Sequence, residues 1–434
     1  MRLQKRPILQ CQKVEIAKIT FFAIHMKGVI IMSYIPLNEV YYKDNSHWEA
    51  EYISRYNNQF AKHLDLTVKQ FKWNKEYKLF YCYPEDIVTL QDKIMFESNA
   101  LNRVFDSVPK VGITQFLLSC LIAEIKASND IEGVRSTRKE IREALSSQDK
   151  PNPDKRLWGI VNKYSKIITG ETVKLEKPED IRALYDEFIL LEIKKDNPEN
   201  VPDGMLFRKD SVDVVTSSGK SIHRGIFPET KIITYLEETL KILHDPVIPA
   251  LFRIAIFHYL FGYIHPFYDG NGRTVRFITS SLLASVINPS VALRLSVLIK
   301  QHKKEYYALF ENTNSAINCG DLTPFILWSL RFVLLSITST KDILLTRKKS
   351  FIVLEQRLKD ILSIDDKILQ EVYYILLQAA VFSDIGVTLN DIVRETHRAQ
   401  RTIYSKINSI PKEHLIINKQ IRPYFYRLNL KMLK

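Results

Sequence analysis

Residues 265–276, His-Pro-Phe-Tyr-Asp-Gly-Asn-Gly-Arg-Thr-Val-Arg, constrain this chain more than any other stretch. They stand between two apolar runs. Upstream, Phe252, Ile254, Ile256, Phe257, Tyr259, Leu260 and Ile264 read as a buried helix, and it ends at His265-Pro266 because proline disfavours helical backbone in the residue before it. Downstream, Val275, Ile278, Leu282 and Val286 recur at helical spacing as far as Asn288-Pro289, so a second helix starts near Arg273. Between the helices, Gly270 and Gly272 let backbone N–H groups approach an anion, and the N-terminus of the second helix adds a favourable dipole. Arg273 and Arg276, three apart, can turn both guanidinium forks toward the loop mouth and bind phosphate oxygens. Asp269 suits a divalent cation, since Mg²⁺ is commonly held by one or two carboxylates plus substrate phosphates. His265, with an ordinary pKa near ~6.5, can take a proton from a hydroxyl at neutral pH. Together these are the parts of a nucleotide polyphosphate site.

The stretch resembles the signature of the Fic family, His-x-Phe-x-Asp/Glu-Gly-Asn-Gly-Arg-x-x-Arg, and matches it at every defined position. The resemblance implies a mainly α fold: a Fic-type helical core with a small β-hairpin flap. It also implies transfer of AMP from ATP to a Ser, Thr or Tyr hydroxyl of target proteins and of the chain itself, with release of pyrophosphate. Carried over position by position, His265 is the general base, Asp269 the Mg²⁺ ligand, and Gly270, Asn271, Gly272 and Arg273 the phosphate cradle. Arg276 is expected on the γ-phosphate. In the Doc-type kinases of the same fold a lysine replaces the residue that is Gly272 here, the nucleotide binds reversed and phosphate is transferred. The glycine therefore points to adenylylation. Downstream, Tyr306, Tyr307 and Asn318 resemble the family's adenine-side positions.

Ser128, Glu132 and Gly133 follow an apolar helical stretch and resemble the Ser/Thr-x-x-x-Glu-Gly/Asn inhibitory motif of Fic proteins. A glutamate folded over the pocket would pair with Arg276 and take the place of the γ-phosphate. Because the motif precedes the core, the chain resembles the class whose inhibitory helix belongs to an N-terminal domain. A glutamate that merely caps a helix end remains the plainer alternative. A short hairpin is expected where Val212, Asp213, Val214 and Val215 lead into a Ser-Ser-Gly-Lys turn and Ser221-Ile222-His223 lead out. In Fic proteins such a flap pairs with an extended segment of the target, recognition by strand addition that leaves target identity poorly encoded.

At 434 residues the chain exceeds the usual single domain, and a 46% hydrophobic content is enough for a substantial core. The expected division is a non-physiological leader over 1–31, an N-terminal domain with the inhibitory helix over 32–150, the Fic core over 151–340 and a winged-helix-like unit over 341–434. The leader reading rests on Arg2, Lys5, Arg6, Lys13, Lys18 and Lys27 set against Glu15, and on Lys27-Gly28-Val29, codable as a bacterial ribosome-binding site ahead of Met32. The basic stretch after residues 336–340 marks the connection to the last unit. There, helical patterns and a closing hairpin place Arg398, Gln400, Arg401, Tyr404 and Ser405 on a recognition helix, and residues 395–434 hold nine basic residues against two acidic ones. DNA is one partner this suits; a second copy of the chain or another protein is the other. Scattered Cys11, Cys82, Cys120 and Cys319 suggest a reducing cytoplasm, and no long uncharged apolar run calls for a membrane span. Two further functions stay open: removal of AMP at the same site, with Glu132 orienting water, and a DNA-binding regulator with a nucleotide-sensing core.

Overall fold

The computed structural model describes residues 34–146, 156–215, 219, 221–362 and 365–433. The leader expected over 1–31 lies outside the described residues. The fold is mainly helical, with short strands only.

Its centre is the helix Ala250–Ile264, which buries nearly every side chain from Phe252 onward. A helix apolar on all sides must be surrounded. Here Glu229–His244, Asn271–Val286 and Thr323–Ile361 pack around it. The helix Lys110–Ile131 packs against Asn271–Val286 and Leu295–Gln301 and is fastened by Glu124, whose buried carboxylate accepts hydrogen bonds from the Ser296 N–H at 2.8 Å, in the first turn of the helix Leu295–Gln301. A carboxylate at a helix N-terminus satisfies otherwise unpaired donors and complements the dipole. Burial nonetheless pushes the Glu124 carboxyl up to about 7, against the pull of those hydrogen bonds.

Two described helices, Lys110–Ile131 and Thr323–Ile361, are apolar and long enough to cross a membrane by composition alone. Their most apolar windows are 67% and 72% buried inside the protein, so core packing accounts for their character.

Residues 336–340, expected as a connection, instead run through the middle of the 39-residue helix Thr323–Ile361. Ile337, Leu344, Phe351 and Leu358 recur every seventh position and are all buried, so a single apolar stripe carries the helix straight on. The hydroxyls that looked like linker composition are satisfied on backbone: Ser336 donates to the Val291 carbonyl at 2.9 Å and Thr338 to that of Leu334 at 3.0 Å. Near the N-terminus, Lys62–Lys69 and Glu76–Tyr81 form an antiparallel hairpin to which the sequence pattern assigned no element. The Phe80 N–H donates to the Gly320 carbonyl at 3.1 Å and the Leu322 N–H to the Phe80 carbonyl at 2.8 Å, tying this hairpin to the start of the long helix.

The C-terminal part holds the helices Lys367–Phe382, Leu389–Thr396 and Gln400–Ser409 and a three-stranded antiparallel sheet. Phe425–Leu428 is its central strand, between Val387–Thr388 and Leu415–Asn418.

Candidate active site

The helix Ala250–Ile264 delivers the site at its C-terminus. His265 takes the left-handed conformation (φ 54°) that commonly closes a helix, its N–H donating to the Phe261 carbonyl at 3.0 Å, and Pro266 blocks any continuation. The loop that follows is braced from within. Tyr185 stacks on Phe267 with ring centroids 3.7 Å apart and donates its hydroxyl to the Asp269 carbonyl at 3.1 Å. The Asn271 side chain closes the turn by accepting from the Phe267 N–H at 3.0 Å and donating to the Phe267 carbonyl at 2.7 Å. Gly270, at φ 82°, then reverses the chain into the helix Asn271–Val286, whose N-terminus has no side-chain cap and so presents open N–H groups to the loop.

His265 donates Nδ1–H to the Gly262 carbonyl at 3.3 Å; a carbonyl can only accept, so the proton sits on Nδ1 and Nε2 keeps its lone pair. Burial, with help from neighbouring His223, lowers its pKa to about 4, which leaves the imidazole neutral and able to accept a proton throughout the physiological range. Arg208, fully buried, donates to the His265 carbonyl at 2.8 Å and to the Ile226 carbonyl at 2.7 Å. It thereby locks the histidine's backbone to the segment that leaves the flap.

Both motif arginines are buried, and each has a carboxylate. Arg273 Nη1 pairs with Glu192 Oε1, and its Nη2 stands 3.5 Å from Asp269 Oδ1. Arg276 Nη1 pairs with Glu132 Oε1 at 2.7 Å, while its Nε donates to the Ser128 hydroxyl at 3.1 Å and its Nη2 to the Ser128 carbonyl at 2.9 Å. Burial works against ionisation of Glu132, but the Arg276 guanidinium outweighs it and holds the carboxyl below its ordinary range. Gly272 makes this contact possible: a Cβ there would stand 2.0 Å from Glu132 Oε1.

The model of the Fic/DOC family matches residues 175–283, a span that contains every residue of this loop and its two flanking turns. The chain carries a Fic domain. Curated relatives include the protein adenylyltransferase Fic of Drosophila sechellia, 31% identical over 124 residues, or 29% of this chain and 23% of that protein. The protein of the same name from Aedes aegypti is 39% identical over 72 residues, 17% of this chain and 13% of that one. The chain thus spans less than a quarter of the length of the curated relatives it matches. Among solved structures, a Fic family protein from Desulfovibrio desulfuricans G20 aligns over 80% of this chain and 97% of its own at 18% identity and a TM-score of 0.48. Fic-1 of C. elegans aligns over 58% of this chain and 71% of its own at 18% identity and a TM-score of 0.40.

Within the Fic domain the structure gathers His265, Asp269, Gly270, Asn271, Gly272, Arg273 and Arg276 around one loop, and the end of Lys110–Ile131 brings Ser128 and Glu132 onto it from outside the matched span. Gly133, at φ 74°, turns the chain away from that helix end. Asn271 meets the loop with both polar ends of its amide already used, so it shapes the cradle and leaves anion contact to backbone N–H. The flap forms as Asp213–Val215 against Ser221–Arg224, with Val214 opposite His223; Val212 precedes the strand and takes the Gly225 N–H on its carbonyl at 3.0 Å. Residues 216–218 and 220 of its turn lie outside the described residues.

The adenine-side expectations fare differently. Tyr306 is buried with its hydroxyl 2.7 Å from His258 Nε2, and Asn318 is buried with its amide donating to the Thr313 and Asp321 carbonyls at 3.2 and 2.8 Å. Both side chains are committed to interior hydrogen bonds, as a core position demands of polar groups. Tyr307 alone of the three reaches the surface, 38% exposed. Two residues went unnoticed in the sequence as parts of the site. Glu192 had a detectable signal, an acid on the same buried stripe as Phe188, Ile189 and Ile193. Arg208 had none, because nothing in its neighbours announces a guanidinium with four carbonyl partners.

Proposed function

We propose that this chain is a self-inhibited protein adenylyltransferase, and the observation that carries the reading is Glu132 seated on Arg276 at the mouth of a complete Fic loop. ATP would lie with its phosphates on the open N–H groups of Asn271–Val286 and on the two arginines. A target hydroxyl attacks the α-phosphorus, His265 Nε2 takes its proton, and pyrophosphate leaves with the P–O bond electrons. Orientation and preorganised positive charge supply most of the acceleration.

Asp269 fits a Mg²⁺ role. Its carboxylate is partly exposed, and no cluster of three or more metal-binding side chains exists among the described residues, which suits a cation whose other ligands are phosphate oxygens and water. When bound, the ion would offset phosphate charge. The chain's own contribution is to hold Asp269 through the Gly270 N–H at 2.5 Å and the Asn197 amide at 3.4 Å.

Inhibition follows from competition. Arg276 has three donors in use, two on Ser128 and one on Glu132, and only the last partner is a charged group that a γ-phosphate would have to displace. The flap leaves Val215 53% exposed at its outer end, and strand addition there would bring an extended target segment beside His265. The described cysteines Cys82, Cys120 and Cys319 are all free thiols, which supports work in a reducing compartment such as the cytoplasm.

The test compares wild type, Glu132→Gly and His265→Ala with ATP labelled at the α- or the γ-phosphate, reading label on protein, self-modification included. The expected pattern is label from the α position only, raised about tenfold or more in Glu132→Gly. In His265→Ala it falls by about 10²- to 10⁴-fold, as for loss of a general base. Transfer of γ-label, or full α-transfer without His265, would overturn the proposal.

A further inference from the structure

The C-terminal helices and sheet take no part in the site described above, yet they present one surface with a consistent chemistry. The helix Leu389–Thr396 begins at a Thr388–Asp391 capping box and ends at His397, in the left-handed conformation (φ 53°); the chain then turns directly into Gln400–Ser409. Two helices joined by so short a turn and backed by a third form a helix-turn-helix. Gln400–Ser409 buries Ile403 and Ile407 and leaves Arg401, Tyr404, Ser405 and Asn408 exposed at the one-turn spacing that defines a single face.

That face is free of negative charge. Gln400–Ser409 contains no carboxylate, and neither does the turn 419–424 between the strands Leu415–Asn418 and Phe425–Leu428. Exposed Arg398 precedes the helix, and exposed Lys419 and Arg422 occupy that turn. Among acids of the neighbouring elements, Asp391 pairs with Arg394, Glu395 with Lys110 and Arg394, and Asp366 with Lys406, while exposed Glu413 lies past the C-terminus of Gln400–Ser409, away from its arginine-bearing start. No carboxylate pairs with Arg398 or Arg401 among the described residues. The N-terminus of Gln400–Ser409 is headed by Ala399 without a side-chain cap, where Ser, Thr, Asp or Asn is the usual choice. Its first N–H groups stay open beside the arginines, which suits an anion.

We infer that this face is a binding surface for duplex DNA, a function separate from AMP transfer. Gln400–Ser409, ten residues and so about 15 Å long, fits a major groove about 12 Å wide. Arg398, Lys419, Arg422 and the open helix N-terminus hold phosphates, which set position and most of the affinity. Arg401 and Asn408 face the base edges, where a guanidinium suits guanine and an amide suits adenine, and the Tyr404 ring, 53% exposed, supplies apolar contact. Charge complementarity favours this occupant over a second protein, because all the charged residues on the face are cations.

The experiment uses the full chain and a fluorescein-labelled duplex of mixed sequence, two helical turns long, followed by anisotropy from about 50 to about 200 mM salt. Binding should weaken steeply with salt. The triple variant Arg398→Ala, Lys419→Ala, Arg422→Ala should weaken it about tenfold or more at the lower salt and reduce the log–log salt slope by between two and three. Arg401→Lys keeps the charge and should leave the slope intact while flattening sequence preference in selection from a random duplex pool. All these positions are exposed, so melting temperature and AMP transfer should match wild type and serve as controls for folding. Absence of binding at low salt, or equal binding by the triple variant, overturns the inference. A triple variant with normal DNA behaviour but altered sedimentation would show instead that the face docks a second copy of this chain.

Discussion

Arg273 and Arg276 stand one turn apart on the same helix, both buried and both paired with a glutamate, yet the two corners are built differently. The partner of Arg273 is Glu192, from the Fic domain itself, with a side chain only 6% exposed. The partner of Arg276 is Glu132, from outside the matched span, just past the C-terminus of the helix Lys110–Ile131 and 31% exposed. A buried pair between two fixed elements is costly to open and serves as architecture. A pair that water reaches on one side, with a partner at a helix terminus, can exchange that partner for another anion. One helix thus carries a permanent ion pair and an exchangeable one, and only the second could regulate.

The largest effect that tests this contrast is on stability. Glu192→Ala should cost about 3 to 5 kcal/mol in chemical denaturation, because it strands a buried guanidinium. Asp269, 3.5 Å from the same arginine, places the expectation at the lower end. Glu132→Gly also deprives a buried guanidinium of its carboxylate, but should cost less, about 1 to 3 kcal/mol, since the lost carboxylate is partly solvated and Arg276 keeps both hydrogen bonds to Ser128. Equal losses from the two variants would erase the distinction.

Acid sharpens it next. His258, held between Thr279 and Tyr306, has its pKa lowered to about 3 by burial, and that of His265 is lowered to about 4 for the same reason. Both titrate near ~6.5 when unfolded, so below that pH the unfolded chain binds more protons than the folded one. Their contribution to stability is complete above pH ~6.5 and is lost as pH falls toward 4, which should lower the melting temperature over that window. The Glu132 carboxyl, held below its ordinary range by Arg276, is ionised near neutral pH. The activity ratio of Glu132→Gly to wild type should therefore stay flat between about pH 6 and 8 even where stability is falling. A ratio that collapses toward unity as pH drops would mean that mild acid opens the clasp.

The loop could be read from sequence because its chemistry is contiguous: histidine, carboxylate, glycines and arginines all fall within residues 265–276. The Glu132 contact was readable only through a resemblance, since its partner lies 144 positions away. Glu192 showed in the sequence only as an acid on a buried stripe, with its partner Arg273 unnamed, and the carbonyl contacts of Arg208 are formed by folding and absent from any local pattern. The long helix Thr323–Ile361 misled in the opposite sense. Ser336, Thr338 and Ser339 carry loop composition, but buried residues at every seventh position outweigh it, and hydroxyls bonded to backbone carbonyls remove the objection. Tyr306 and Asn318 show the limit of transferring adenine-side roles by type and approximate position, because both had already been used to satisfy the interior.

The smallest effect is the most discriminating, because it acts on the clasp without touching either charged group. Ser128 offers Arg276 a hydroxyl and a carbonyl, and substitution removes only the first. Ser128→Ala should destabilise the folded chain by about 1.5 kcal/mol, the net worth of one hydrogen bond to a charged group at the low end. It should raise AMP transfer by less than Glu132→Gly does, because Arg276 still meets the carboxylate but is held less firmly in the orientation that favours it. Isothermal titration with a non-hydrolysable ATP analogue separates the causes. If Ser128 steadies the closed pair, nucleotide binding tightens slightly in Ser128→Ala and is unchanged when the same substitution is added to Glu132→Gly. Weaker binding in both backgrounds would mean that the hydroxyl orients Arg276 for phosphate itself, and the Ser128 corner would then belong with Glu192 to the fixed part of the site.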